Sequence, residues 1–255
     1  ILKAKIIFKQ NIFIYNTSPA NLLTSLFSRI FNSKIIYHLH DPKPHSGFLN
    51  PMIYLIQFFQ ILLSNQILVF DENLIEKSRK LYPLSRNKTF HVFNHGVPIF
   101  KETNLGLDVS KVNFGFFGRN MAYKNVNIFL NMAILYPNCI FHIYGSGYES
   151  LEFLYDNLII TNGFIENNKY YSAMSKMDYV VIPYKDISFS GIISDCLSLG
   201  KKMIVSEEVC RNYSNSNMIL ISEFSNPVKQ DSKKMINSGW NSYSDDLQNI
   251  FYKNI

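Results

Sequence analysis

The chain has 255 residues, 47% of them hydrophobic and 17% charged, with 25 Lys+Arg against 19 Asp+Glu and a formal net charge of +6. That composition excludes a disordered chain, and the length suffices for one large domain or two modest ones. The basic residues are scattered without a run of like charge. This argues against nucleic acid as a partner and leaves a solvated basic surface, an anionic membrane or a phosphorylated substrate.

Three cysteines, Cys139, Cys196 and Cys210, lack C-x-x-C spacing, and an odd number cannot complete a disulfide framework. A reducing, cytoplasmic compartment is the expectation. The opening ILKAKIIFKQ carries no cleavage site after an apolar core, so no signal peptide is expected, and a start at Ile1 suggests a piece of a longer frame.

In chain order, NIFIYN from Asn11 reads as a strand, and Ser18 before Pro19 as the N-cap of a helix ending near Asn32. Lys34–Leu39 is the next strand, followed by the loop HDPKPHSG. The apolar run Leu49–Leu63 is short for a membrane span and is interrupted by Asn50, Pro51, Gln57 and Gln60. It predicts a helix that is buried or rests on lipid without spanning. A strand at Gln66–Phe70, a helix at Glu72–Leu81 and a strand at Thr89–Phe93 follow, a β-α-β order that implies a parallel sheet. The polar stretch at about residues 97–111 reads as a linker between two α/β halves, giving domains 1–97 and 98–255.

The second half predicts strands at Val112–Phe117, Ile140–Tyr144, Asn157–Ile160, Tyr179–Pro183 and Lys202–Ser206. Helices are expected at Lys124–Leu135, Glu149–Tyr155, Asn167–Met177 and Gly191–Leu199, with a closing helix over Ser244–Asn254. Five strands with intervening helices describe a doubly wound sheet, which takes ligands outside the carboxyl ends of its strands.

The loops at those ends hold the candidate residues. Gly118, Arg119 and Lys124 in FFGRNMAYKNV offer a tight turn, a planar fork for phosphate oxygens and a point charge, or else two exposed cations on a loop. Gly145 and Gly147 in YGSG permit close backbone approach to a ligand, as they would in any turn. Ser190 and Gly191 stand where a helix begins, a place that favours a diphosphate. Asp195 lies one turn on and suits a ribose diol; the alternative makes Ser190 only an N-cap and Asp195 a helix-dipole partner. In the first half, His40, Asp41 and His45 stand in a loop stiffened by Pro42 and Pro44, either as acid/base or phosphate-binding groups or as structural ones. Their irregular spacing does not make a metal set, and no metal is expected.

Four segments in register, FFGRNMAYKNV, HIYGSG, NGFIENNKYYSAMSKMDYVVIPY and SFSGIISDCLSLGKKMIVS, resemble the donor domain of group 1 (family 4) glycosyltransferases over Val112–Ser206. The resemblance implies an α/β GT-B fold of two Rossmann-like domains with parallel sheets, the first incomplete, since further β-α units normally precede the segment matching Asn11–Tyr15. It also implies a retaining, metal-independent transfer of sugar from a nucleotide-sugar, with no cofactor, to a saccharide or lipid-linked saccharide. Such chemistry belongs to surface polysaccharide synthesis, with a peripheral contact on the inner face of the membrane. By resemblance, Arg119 and Lys124 hold the donor diphosphate, the helix start at Ser190-Gly191 meets the phosphates, the loop of Gly163 and Ile165 contacts the base and Asp195 binds ribose; Gly118, Gly145 and Phe189 complete the donor-binding set. The family's E-x7-E pair has its first position at Ile187 here, with Asp186 adjacent; Asp186 and His45 are the catalytic candidates. His95-Gly96 matches the entry to the interdomain linker. Two rivals remain: a sugar-nucleotide epimerase of the same fold, and a non-catalytic nucleotide-sugar-binding remnant.

Overall fold

A computed structural model describes residues 11–42, 51–92, 100–151, 155–187, 190–213 and 215–230. The chain divides into two compact units at His95/Gly96. The closing helix expected near the C-terminus lies outside the described residues.

The first unit is built on four parallel strands in sequential order, β1 (Asn11–Ile14), β2 (Lys34–His38), β3 (Gln66–Val69) and β4 (Thr89–Val92). Helices α1 (Pro19–Ile30), α2 (Pro51–Leu63) and α3 (Glu72–Leu81) connect them. Ser18 caps α1 as its sequence predicts, accepting from the Asn21 amide at 3.1 Å, and Asn32 in the left-handed region (φ 58) follows the helix end. Asp71 caps α3 by accepting from the Asn73 amide at 2.7 Å.

Helices α1 and α2 pack on each other and present an unusual face to solvent. Leu23, Leu26, Phe27 and Ile30 of α1 are exposed at helical spacing, whereas Ser25 and Ser28 are buried. In α2, Met52, Leu55, Phe59 and Leu62 are exposed while Gln57 and Gln60 are buried beside Ile56 and Ile61. Of the two alternatives the sequence left for α2, burial of most of its apolar side chains is not met, which leaves contact with lipid. Its glutamines face inward because loop carbonyls need donors: Gln57 Nε2 donates to the Asp41 carbonyl at 2.8 Å, and Gln60 Nε2 to that of Asn16 at 3.3 Å. Among the described residues no helix is long and apolar enough to cross a membrane.

The second unit is a six-stranded parallel sheet: β5 (Asn113–Phe117), β6 (Ile140–Gly145), β7 (Leu158–Asn162), β8 (Tyr179–Ile182), β9 (Lys202–Val205) and β10 (Met218–Leu220). The strand order, β10-β9-β8-β5-β6-β7, winds outward in both directions from β5 and β8. The sixth strand, β10, is absent from the sequence reading. Helices α4 (Val126–Leu135), α5 (Asn167–Lys176), α6 (Gly191–Ser198) and α7 (Glu207–Asn212) complete the unit. Where a helix was expected from Glu149, a 3-10 turn spans Glu149–Leu151.

Two apolar clusters fill the unit. One gathers Phe117, Met174, Ile182, Ile187 and Val205, and the other Phe114, Phe116, Phe129, Phe141 and Ile204. The segment from Phe100 lies along α5: the Thr103 amide donates to Ser172 Oγ at 2.9 Å, Lys176 Nζ to the Thr103 carbonyl at 2.6 Å, and Phe100 stacks on Tyr171. At the opposite end of the sheet from the strand tips, buried Asp178 accepts from the Asn113 amide at 2.8 Å, Lys229 Nζ at 2.9 Å and the Gln230 amide at 2.9 Å. Asp178→Ala strands these donors, so thermal unfolding should show a loss of about 1–3 kcal/mol. An unchanged melting temperature would mean that the clamp contributes nothing.

Candidate functional site

The sheet order places a switch point between β5 and β8, whose neighbours turn away on either side. Strand β5 ends in Phe117, and Gly118 turns at φ +105, a region that favours glycine. Its carbonyl accepts from Tyr148 Oη at 2.9 Å, and its amide donates to the Tyr144 carbonyl at 2.8 Å. A Cβ on Gly145 would lie 2.0 Å from the Gly118 oxygen, so the β5 and β6 loops meet only because Gly145 lacks one. The Asn120 amide donates to the Ser146 carbonyl at 2.9 Å and the Gly163 amide to that of Gly145 at 2.8 Å. Three successive strand tips are thus tied into one rim.

Lys124 closes this rim. It lies in a 3-10 turn, Ala122–Lys124, that the left-handed Asn125 (φ 54) separates from α4, so α4 begins two residues later than the sequence suggests. The side chain turns back beneath Gly118: a Cβ there would stand 2.1 Å from Nζ. Lys124 is buried, its Nζ donates to the Phe117 carbonyl at 3.4 Å, and it sits 5.5 Å from the centre of the Tyr184 ring. Among the described residues it forms no ion pair. Desolvation first, and the neighbouring Arg119 charge second, push its pKa down to about 8. Arg119 itself is exposed.

The loop after β8 faces the same rim. The Lys185 amide donates to the Tyr123 carbonyl at 2.8 Å, and Ser206 Oγ to that of Tyr184 at 2.6 Å. Ser190 occupies the N-cap position of α6, yet its hydroxyl makes no cap bond; it hydrogen-bonds with the buried Tyr184 phenol, while its amide donates to Tyr213 Oη at 3.1 Å. The reading of Ser190 as only an N-cap therefore does not hold. The Ile193 and Ser194 amides of α6 donate to the Ser190 carbonyl at 3.1 and 3.3 Å, which leaves the Gly191 and Ile192 amides at the helix start to face a ligand, and a Cβ on Gly191 would touch nothing within 4 Å. Ile192, in that first turn, would lie 3.7 Å from a Cβ on Gly118. The structure thus brings Gly118, Arg119, Lys124, Gly145, Ser190 and Gly191 around one sheet end.

Asp195, one turn into α6, is buried and accepts from Tyr170 Oη at 3.1 Å. Desolvation raises its pKa to about 7, against the lowering effect of the Tyr170 bond. At the tip of β7, Gly163 turns at φ +110 with nothing near its absent Cβ, so the glycine serves backbone conformation. Ile165 packs its side chain into the core, and Phe164 projects outward, 93% exposed. Ile187 is a buried core residue, and Asp186 beside it is half-buried on the β8–α6 loop. His45, Phe189, His95 and Gly96 lie outside the described residues. In the first unit His40 is exposed, its ring edge-on to Phe70 at 5.4 Å. Three tyrosines, Tyr148, Tyr170 and Tyr184, support the site without having been picked out as site residues; Tyr148 and Tyr184 follow strand ends, whereas Tyr170 lies within α5 and carries no such signal.

No protein-family model and no curated protein sequence matches this chain. Solved structures do. The chain is similar to HepE of Anabaena in complex with UDP and glucose, with a TM-score of 0.60 and 15% identity over 82% of this chain and 63% of that one. Sucrose-phosphate synthase from Thermosynechococcus elongatus matches with a TM-score of 0.65 and 13% identity over 94% of this chain and 64% of that one. The E. coli trehalose-6-phosphate protein bound with UDP-2-fluoro glucose matches with a TM-score of 0.58 and 10% identity, over 97% and 70%. The chain has the GT-B fold. It spans less than two thirds of the first two of these GT-B proteins.

A buried lysine with no counter-ion among the described residues is a folding liability. Its folded pKa of about 8 lies below the unfolded value of 10.5. Stability is therefore fully present above about pH 10.5, falls as pH drops toward 8, and stays low below it. Lys124→Met should stabilise the unliganded protein at pH 7 by roughly 3.5 kcal/mol at most, the shift converted at about 1.4 kcal/mol per unit. Denaturant melts at pH 7 and 10.5 check this: the gain should shrink at the higher pH, and a loss at pH 7 would contradict it.

Proposed function

We propose that the chain transfers a sugar from a nucleotide-sugar donor held on the second unit to a saccharide or lipid-linked saccharide acceptor, as part of surface polysaccharide synthesis. The carrying observation is the pairing of buried Lys124 with Arg119 at the sheet's switch point, beside the start of α6 and without a carboxylate among the described residues. Two cations and open helix amides make a receptor for a diphosphate. The GT-B neighbours bound to UDP, glucose or UDP-2-fluoro glucose support the choice of anion.

In this reading the diphosphate lies against Gly118, Arg119, Lys124 and the segment Phe189-Ser190-Gly191. The base meets the Gly163–Ile165 loop and the ribose meets Asp195. The bond between the anomeric carbon and the diphosphate oxygen breaks, and the two cations stabilise the charge left on that oxygen without a metal. The acceptor oxygen bonds to the anomeric carbon on the same face, with retention. His45 and Asp186 are the candidates to handle the acceptor's proton. The exposed apolar faces of α1 and α2 support a peripheral contact with the cytoplasmic membrane surface, where a lipid-linked acceptor would reside.

Calorimetric titration of UDP tests the donor site. Arg119→Ala and Lys124→Met should each weaken binding by about 10- to 100-fold, the range for hydrogen bonds to charged groups. Equal binding by both variants and the parent would remove the phosphate reading. Product analysis with UDP-sugars separates the activities: an epimerase alters the nucleotide sugar without an acceptor. Burial of Ile187 at the position of the family's first Glu favours the non-catalytic rival, for which UDP would bind and no sugar would move.

For the membrane, Leu55→Ser with Phe59→Ser should abolish co-sedimentation with anionic vesicles and leave UDP affinity unchanged. Retained sedimentation would place the contact elsewhere.

A further inference from the structure

A buried phenol stands behind the ribose-binding candidate. Tyr170 projects from α5 across to α6, where its hydroxyl donates to Asp195 Oδ2 at 3.1 Å. Its ring is held edge-on to Phe117, the last residue of β5, at 5.4 Å, and to Tyr171 at 5.0 Å. The phenol therefore has little freedom, and the carboxyl it binds inherits that restriction.

We propose that Tyr170 is a positioning residue that locks Asp195 as a reader of the donor's ribose hydroxyls, so that discrimination between a ribose and a deoxygenated sugar depends on a residue two elements away from the phosphates. The proposal rests on the donor-site reading above and goes beyond it in assigning the source of ribose specificity. Three features carry it. The bond joins the helix that opens on the switch point to the helix packed behind it. Its geometry is fixed by aromatic packing on β5 itself. And Asp is one methylene shorter than Glu, so the acidic group reaches less far and its direction matters more.

The surroundings leave Asp195 as the group that changes charge near neutrality. Among the described residues, Tyr170 and Tyr171 from α5 and Cys196 from its own helix are titratable groups whose charges act with it, and burial raises the pKa of all three. Asp195 itself, raised to about 7, passes from acceptor to neutral acid as pH falls through that value. Ribose discrimination should fade with it.

The test compares three probes by calorimetry on the full chain: UDP, its 2′,3′-dideoxy analogue and pyrophosphate. The parent should prefer UDP to the dideoxy analogue by roughly tenfold, as for one hydrogen bond to a charged group. Tyr170→Phe keeps the ring and should bring that ratio close to one, with pyrophosphate affinity unchanged. A merely structural tyrosine would weaken all three probes together and overturn the proposal, as would an unaltered ratio. Should Tyr170→Phe not fold, the parent supplies the second measurement: the ratio should collapse between about pH 8 and about pH 6. A ratio that is constant across that range overturns the proposal. A parent that binds neither UDP nor pyrophosphate overturns the donor-site reading, and this inference with it. UDP binding with equal discrimination in parent and Tyr170→Phe overturns only the role of Tyr170.

Discussion

The ammonium of Lys124 constrains the second unit more than any other group. It is buried beneath a glycine that must remain a glycine, beside an aromatic face, with a second cation adjacent and no carboxylate among the described residues to neutralise it. Desolvating a charge without a partner is costly. A fold that keeps one there needs surrounding structure to hold it, and gains if an anion arrives. The rim supplies the first requirement. Its backbone bonds, from Gly118 to Tyr144, Asn120 to Ser146 and Gly163 to Gly145, fix three strand tips together before any ligand binds. Donors held in place in advance need no reorganisation when charge appears among them.

The strand order explains why the rim lies where it does. Outward winding from β5 and β8 opens a crevice at their carboxyl ends, and the loops leaving those two strands carry Arg119 with Lys124 and Ser190 with Gly191. Tyr184 bridges them: its ring faces Lys124, its hydroxyl meets Ser190, and its carbonyl is held by Ser206. The tyrosines around the crevice therefore act as spacers with a polar handle, keeping polar groups paired inside an apolar cluster.

Much of this was legible in the sequence. Hydrophobic runs gave nine of the ten described strands because most of them are central and buried on both faces, as β5 and β8 are. The missed strand, β10, is three half-buried residues behind an Asn- and Ser-rich stretch, too short for any periodicity. Sequence also placed Gly118, Lys124 and Ser190 near one sheet end, since each follows a strand. It could not show that Lys124 is buried or that Ser190 leaves its helix uncapped, because both depend on Tyr184 folding between them. It left α2 open between burial and lipid contact for a related reason: Gln57 and Gln60 looked like interruptions of an apolar helix, but the loop carbonyls of Asp41 and Asn16 draw them inward and turn Met52, Leu55, Phe59 and Leu62 out.

Proton linkage tests the central claim most directly. With a pKa of about 8, Lys124 is half neutral at pH 8 in the unliganded protein, and a bound diphosphate should restore its charge. Calorimetric titration of UDP at pH 8 in buffers of different ionisation enthalpy should then show an uptake of about half a proton per nucleotide. Lys124→Met should take up none. Binding without proton uptake in the parent, or the same uptake in Lys124→Met, would contradict the account.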